Sequence, residues 1–176
     1  MARLERPTQK SSKPATKFLQ WKSNDKCLSY YDKDKGENVL VDLPFKFIFL
    51  EHYHTVKGWN DKSESGIYSN EVFLISKEPL TVKAFKGGEI ASGLYSEIRN
   101  KVKDAGGVYH RSIYIMLEDG SIANLQLKGS AVSSYSDFFK ENQNHIENDS
   151  WIEIVSAKEG KKGAVKFTTP EFKLGS

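Results

Sequence analysis

The chain has a single cysteine, Cys27, among 176 residues. One thiol excludes an internal disulfide and a cysteine-rich zinc module, so the expected location is cytoplasmic. Long hydrophobic runs are missing too. Stretches such as Phe47-Ile48-Phe49-Leu50 are far too short to cross a bilayer, and no membrane partner is expected. The opening MARLERPTQKSSKPATKF contains no apolar segment of the secretory kind. Charge of one sign is not in large excess: 26 Lys and Arg stand against 23 Asp and Glu, a net +3. With a pI of 8.8, that is a weak pointer to an anionic partner. What is present is a mean hydropathy of −0.55, 28% charged residues and 12% aromatics, a globular rather than disordered composition.

The net charge is a sum of unlike parts. Residues 1 to 17 hold five bases against one acid, +4, and residues 18 to 176 hold 21 against 22, −1. Within that remainder, 77 to 111 carries +3, 112 to 157 carries −5 and 158 to 176 carries +3. Such polarity suits a groove of one sign on a mixed surface. Residues 1 to 16, with Pro7 and Pro14 and almost no apolar groups, are expected to form a flexible basic arm ahead of one folded domain over 17 to 176.

From Phe18 onward the pattern is mostly that of strands. Cys27–Tyr31 and Asn38–Val41 flank Asp32-Lys33-Asp34-Lys35-Gly36, a hairpin signal. A long strand is expected over Phe45 to Val56, a polar loop over Asn60 to Gly66, and strands over Ile67 to Ile75 and Leu80 to Phe85. Residues 93 to 105 switch to a helical period, with Leu94, Ile98 and Val102 at every fourth position, Ser92 as N-cap and Gly106-Gly107 as the stop. Val108–Leu117 and Ile122–Leu127 surround Asp119-Gly120, a turn in which both central residues should take positive φ. A second helix is expected at about 131 to 146, and a last hairpin from Trp151–Ala157 and Ala164–Thr168. The class is therefore mainly β with two helices. Its organisation fits a five-stranded Greek-key barrel of the oligonucleotide-binding kind, with added strands and hairpins.

The signatures of catalysis are thin. His52-x-His54 puts two imidazoles on one face of a strand, but His110, His145 and Cys27 are too scattered to complete a metal site. Gly87 to Gly93 does not match a dinucleotide or phosphate loop and reads as a turn and helix cap. Glu118-Asp119 sits at a hairpin turn, where acids serve the backbone. No Gly-x-Ser-x-Gly elbow exists. The expectation is a non-enzyme without catalytic residues, cofactor or metal.

Binding residues are easier to find, since several aromatics lie beside bases. Trp21 adjoins Lys22, Tyr31 lies near Lys33, Tyr53 precedes Lys57-Gly58-Trp59, Phe85 lies between Lys83 and Lys86, and Tyr109 lies near Arg111. Single-stranded nucleic acid binds where rings stack on bases and cations follow the phosphates. On Leu80 to Lys86, Leu80, Val82 and Ala84 point one way, while Thr81, Lys83 and Phe85 form a polar and aromatic face. Phe45, Phe47, Phe49 and Phe73 are expected in the core. The binding set is Trp21, Tyr31, Tyr53, Lys57, Trp59, Tyr68, Lys83, Phe85, Lys86, Tyr109 and Arg111.

The stretches Val56-Lys57-Gly58-Trp59, Gly66-Ile67-Tyr68-Ser69-Asn70-Glu71-Val72, Pro79-Leu80-Thr81-Val82-Lys83-Ala84-Phe85, Gly93-Leu94-Tyr95 and Leu127-Lys128-Gly129-Ser130 resemble those of phage-encoded single-stranded-DNA-binding proteins, over roughly residues 17 to 157. The resemblance implies an oligonucleotide-binding barrel that coats replication intermediates in the host cytoplasm without sequence preference. It places Trp59, Tyr68, Lys83 and Phe85 near the DNA. Such proteins often end in an acidic tail that recruits replication partners, whereas this chain ends Thr168-Thr169-Pro170-Glu171-Phe172-Lys173-Leu174-Gly175-Ser176. Either the tail is absent, or the chain was cut and Gly175-Ser176 is a cloning scar; replication proteins are expected as partners in the second case. The partner is single-stranded DNA, with RNA and the oligomeric state left open. The rival expectations are a structural or protein-interaction domain, such as a virion component, and a metal-dependent nuclease.

Overall fold

The computed structural model describes residues 17–175; the expected basic arm at 1 to 16 and Ser176 lie outside them. The order is β1 (Lys17–Lys22), β2 (Cys27–Asp32), β3 (Glu37–Val41), β4 (Phe45–Asn60), β5 (Ser65–Ser69), β6 (Leu80–Ala84) and β7 (Gly88–Gly93). Then come α1 (Tyr95–Ala105), β8 (Gly107–Met116), β9 (Ile122–Leu127), α2 (Ser130–Glu141), α3 (Gln143–Glu147), β10 (Trp151–Lys162) and β11 (Val165–Leu174). No helix among the described residues is long and apolar enough to cross a membrane.

These elements divide into two compact units, one from the chain up to Glu51 and from Ile113 on, the other from His52–Ser112. In the first, β1 pairs antiparallel with β2 and parallel with β9, and β2 continues to β3. The hairpin of β10 and β11 joins the start of β4, with Trp151–Ile154 against Phe45–Ile48. Alternation along these strands turns Phe47, Phe49, Ile113, Ile115, Leu125 and Leu127 into one core, which Tyr135 and Phe138 of α2 and Ile146 of α3 complete. Phe45 packs against this core from its edge.

The second unit has its own core. Its meander is the end of β4, then β5, β6 and β7, all antiparallel. Helix α1 lays Ile98 and Val102 onto Val56, Ile67, Leu80 and Val82. Each such side chain contributes roughly 1.5–3 kcal/mol when fully buried. The expected alternation on β6 is present: Leu80, Val82 and Ala84 are buried, and Lys83 and Phe85 are exposed. The helix begins at Tyr95 with no side-chain cap, because Ser92 is paired to Thr81 within β7. Its stop is as expected: Gly106 has φ +104° and donates its amide to the last-turn carbonyls of Val102 and Lys103.

Several expectations are corrected. The strands form an open, mixed sheet in the order β3-β2-β1-β9-β8-β4-β5-β6-β7 instead of a closed five-stranded barrel. Strand β9 pairs with β8 on one edge and with β1 on the other, and the order ends at β3 and β7. The described helices number three, because the second expected one breaks at Asn142, whose amide and side chain both bond the Phe138 carbonyl. Gly88–Gly93, read as a turn, is strand β7. The strand expected over Ile67 to Ile75 ends at Ser69, where Asn70 turns its side chain to Thr81 and Pro79.

Candidate nucleic-acid interface

Register brings the aromatic residues of the second unit together. Trp59 on β4 is the cross-strand partner of Gly66 on β5, and Tyr68 is the partner of Lys83 on β6. The Phe85 amide donates to the Gly66 carbonyl at 3.0 Å. Cross-strand partners project to the same face, so Trp59, Tyr68, Lys83 and Phe85 share one side of a three-stranded ribbon. Gly66 leaves space on that side, and the Phe85 ring fills it: a Cβ on Gly66 would lie 3.4 Å from a ring carbon. The Phe85 ring stacks on Tyr68 with centroids 4.4 Å apart at 29°. Phe85 is 73% exposed and Trp59 57% exposed, unusual for rings that core packing would bury.

The platform under Trp59 is rigid. The strand runs through it to Asn60, so the expected loop is confined to 61 to 64. Gly58 and Gly106 approach backbone to backbone: a Cβ on Gly106 would lie 2.0 Å from the Trp59 carbonyl oxygen, and one on Gly58 2.2 Å from that of Gly106. The Asn60 amide donates to the Ala105 carbonyl at 2.8 Å and its oxygen accepts from Ser63. The Trp59 backbone is thus held between β5 and the end of α1.

Two exposed cations accompany the rings: Lys83 shares their face, and Lys86 follows Phe85 in the chain. Neither Lys83 nor Lys86 makes an ion pair among the described residues, and the Lys86 backbone is fixed by an amide bond to Ser65 Oγ at 3.0 Å. Lys57, two residues before Trp59 on the same strand, is half-buried. Glu89 is the cross-strand neighbour of Lys83 and lowers the positive charge of that edge.

The structure gathers Tyr109 and Arg111 into a different constellation. Arg111 donates to His54 Nε2 at 2.9 Å and reaches His52 Nδ1 at 3.4 Å. With Nε2 accepting, the ring proton of His54 sits on Nδ1 and is donated to the Tyr109 hydroxyl at 2.5 Å. Burial first, and the Arg111 charge second, push the His54 pKa down to about 4. Burial raises the Tyr109 and Tyr95 phenols, whose rings lie 5.7 Å apart. The Ser112 hydroxyl donates to Glu71 at 2.5 Å. The two histidines therefore serve a guanidinium. Their His-x-His spacing, visible in the sequence, aligns two acceptors on it. Among the described residues no group of three or more His, Cys, Asp or Glu is placed to hold a metal.

The remaining candidates have other surroundings. Tyr53 is only 3% exposed and packs edge-on against Phe73, so its ring face is not offered to a base. Trp21 and Tyr31 belong to the first unit. Trp21 is half-buried against that core, and its indole N–H donates to the Thr168 carbonyl at 2.9 Å. Tyr31 is exposed on β2 opposite Asn38. Sequence reasoning missed Gly66 and Glu71, because only strand register shows what they face.

No protein-family model, curated protein or solved structure matches the chain. The reading of the interface therefore stands on its own geometry.

Proposed function

We propose that this chain is a non-enzymatic single-stranded-DNA-binding protein that coats and protects unpaired strands during replication, recombination or repair. One observation carries the reading: the exposed Trp59 and Phe85 and the half-buried Tyr68 form an aromatic ladder on one face of three strands, with Lys83 on the same face and Lys86 next to Phe85 in the chain. Rings so placed accept any base, since every base has a π-face, and the lysines follow the phosphates. Duplex binds poorly, because paired and stacked bases do not present their faces.

The test is an anisotropy titration with single- and double-stranded oligomers at two salt concentrations. Strong preference for the single strand is expected, with log K falling by roughly 0.7 per log unit of salt for each phosphate neutralised. Equal affinity for duplex, or no binding at low salt, overturns the proposal. A protein-interaction domain using the same rings would give the second result.

A further inference from the structure

The aromatic ladder leaves the +3 of residues 158 to 176 without a role. Two of those bases, Lys161 and Lys166, line an open basin of about 540 Å³ between the turn after β1 and the hairpin of β10 and β11. Lys26, Lys161 and Lys166 line it against one acid, Glu159. The volume is that of a small-ligand site.

The walls are fixed to each other. Ser23 Oγ accepts from the Thr168 amide at 2.6 Å, and the Thr168 hydroxyl donates to the Ser23 carbonyl at 2.6 Å. The Trp21 indole adds a third bond to Thr168. On the hairpin, Glu159 pairs with Thr168 and Lys161 with Lys166, so all four share one face. Gly160 admits the Phe167 ring against its backbone, where a Cβ would come within 2.6 Å.

The charges are arranged for an anion. Lys26 and Glu159 neutralise each other at 2.9 Å, and Lys26 holds the Glu159 carboxyl below the usual range. Lys161 and Lys166 stand directly opposite each other with no ion pair among the described residues. Like charges directly opposite across a ladder destabilise it. An anion between them turns that repulsion into a two-point clamp.

We infer that the basin binds a backbone phosphate of single-stranded nucleic acid, as a contact separate from the aromatic ladder. This rests on the nucleic-acid reading above, and the test separates the two. The isotopically labelled full chain is titrated with a short oligothymidylate, and amide resonances are followed. Shifts are expected in two sets, one at Gly160, Lys161 and Lys166–Thr168, the other around Trp59, Gly66 and Phe85. In the Lys161→Gln/Lys166→Gln variant the first set is lost and the second kept, and the log-log salt slope becomes shallower by about 0.7 per phosphate released. Shifts confined to the ladder overturn the basin and leave the proposed function standing. Shifts confined to the basin keep this site and overturn the ladder. Shifts in neither set overturn both. Inorganic phosphate, added alone, distinguishes a site for the phosphate group itself: it should move the basin set and leave the ladder set still.

Discussion

Truncating Phe85 to alanine separates binding from folding. The ring is 73% exposed, so little apolar area returns to water when it is removed. What the fold loses is the stack on Tyr68 and the cover over Gly66. An aromatic pair is worth about 0.5–1.5 kcal/mol beyond its area, so at so exposed a site Phe85→Ala should cost no more than about 1 kcal/mol of stability. What binding loses is one stacking surface, about 1–3 kcal/mol. That corresponds to a Kd about 5- to 150-fold higher. The assay is anisotropy with labelled oligothymidylate, run beside a urea titration to confirm the fold. Fluorescence supplies an internal control. Trp21 and Trp151 are half-buried while Trp59 is exposed, so quenching by the oligomer should report mainly on Trp59 and persist in the variant with a displaced midpoint. If the variant keeps its fold and its affinity changes by less than about twofold, the ladder is not where bases stack.

Three further outcomes follow from the geometry. Gly106→Ala should lower the urea midpoint sharply, by about 1–3 kcal/mol from the positive φ and more from the clash with the Trp59 carbonyl. His54 is neutral in the fold down to about pH 4 but would protonate near 6.5 once unfolded, so the unfolded chain takes up more protons between those values. Stability should therefore be full above pH 6.5 and fall as the pH drops toward 4, by about 1–2 kcal/mol after allowing for solvent screening, and His54→Gln should flatten the profile measured by urea unfolding. Trp21→Phe should cost about 1 kcal/mol in urea unfolding through the lost bond to Thr168 and leave the oligothymidylate-induced shifts at Trp59, Gly66 and Phe85 unchanged, since Trp21 belongs to the first unit.

The sequence shows the parts of this fold that local periodicity controls. The two faces of β6 could be read because a strand alternates every two residues, and the end of α1 because only glycine takes the left-handed cap without strain. The Asp119-Gly120 turn was found, yet only Gly120 takes positive φ; Asp119 instead accepts from the amide and hydroxyl of Ser121. The last hairpin is longer than expected because Glu159-Gly160-Lys161-Lys162 has no apolar side chain to carry an alternation. Long-range pairing was not legible. The parallel pairing of β1 with β9 depends on residues about a hundred positions apart. At the interface, the ring types were visible but their companions were not. Trp59 and Phe85 meet through Gly66, and Arg111 faces two histidines, because of register.

The same parallel pair sets a timetable for synthesis. Every pairing among β5, β6 and β7 closes within His52–Ser112, so that unit is complete soon after Ser112 leaves the ribosome. Strand β1 is made first but finds β9 only after about a hundred more residues, a delay of roughly 5–20 s at ordinary elongation rates. During that interval the edge of β1 that β9 later takes has no partner from β9. Every residue of the aromatic ladder has then been made, while the strand that covers the edge of β1 has not, and an uncovered strand edge is the feature through which a chain pairs with a neighbour.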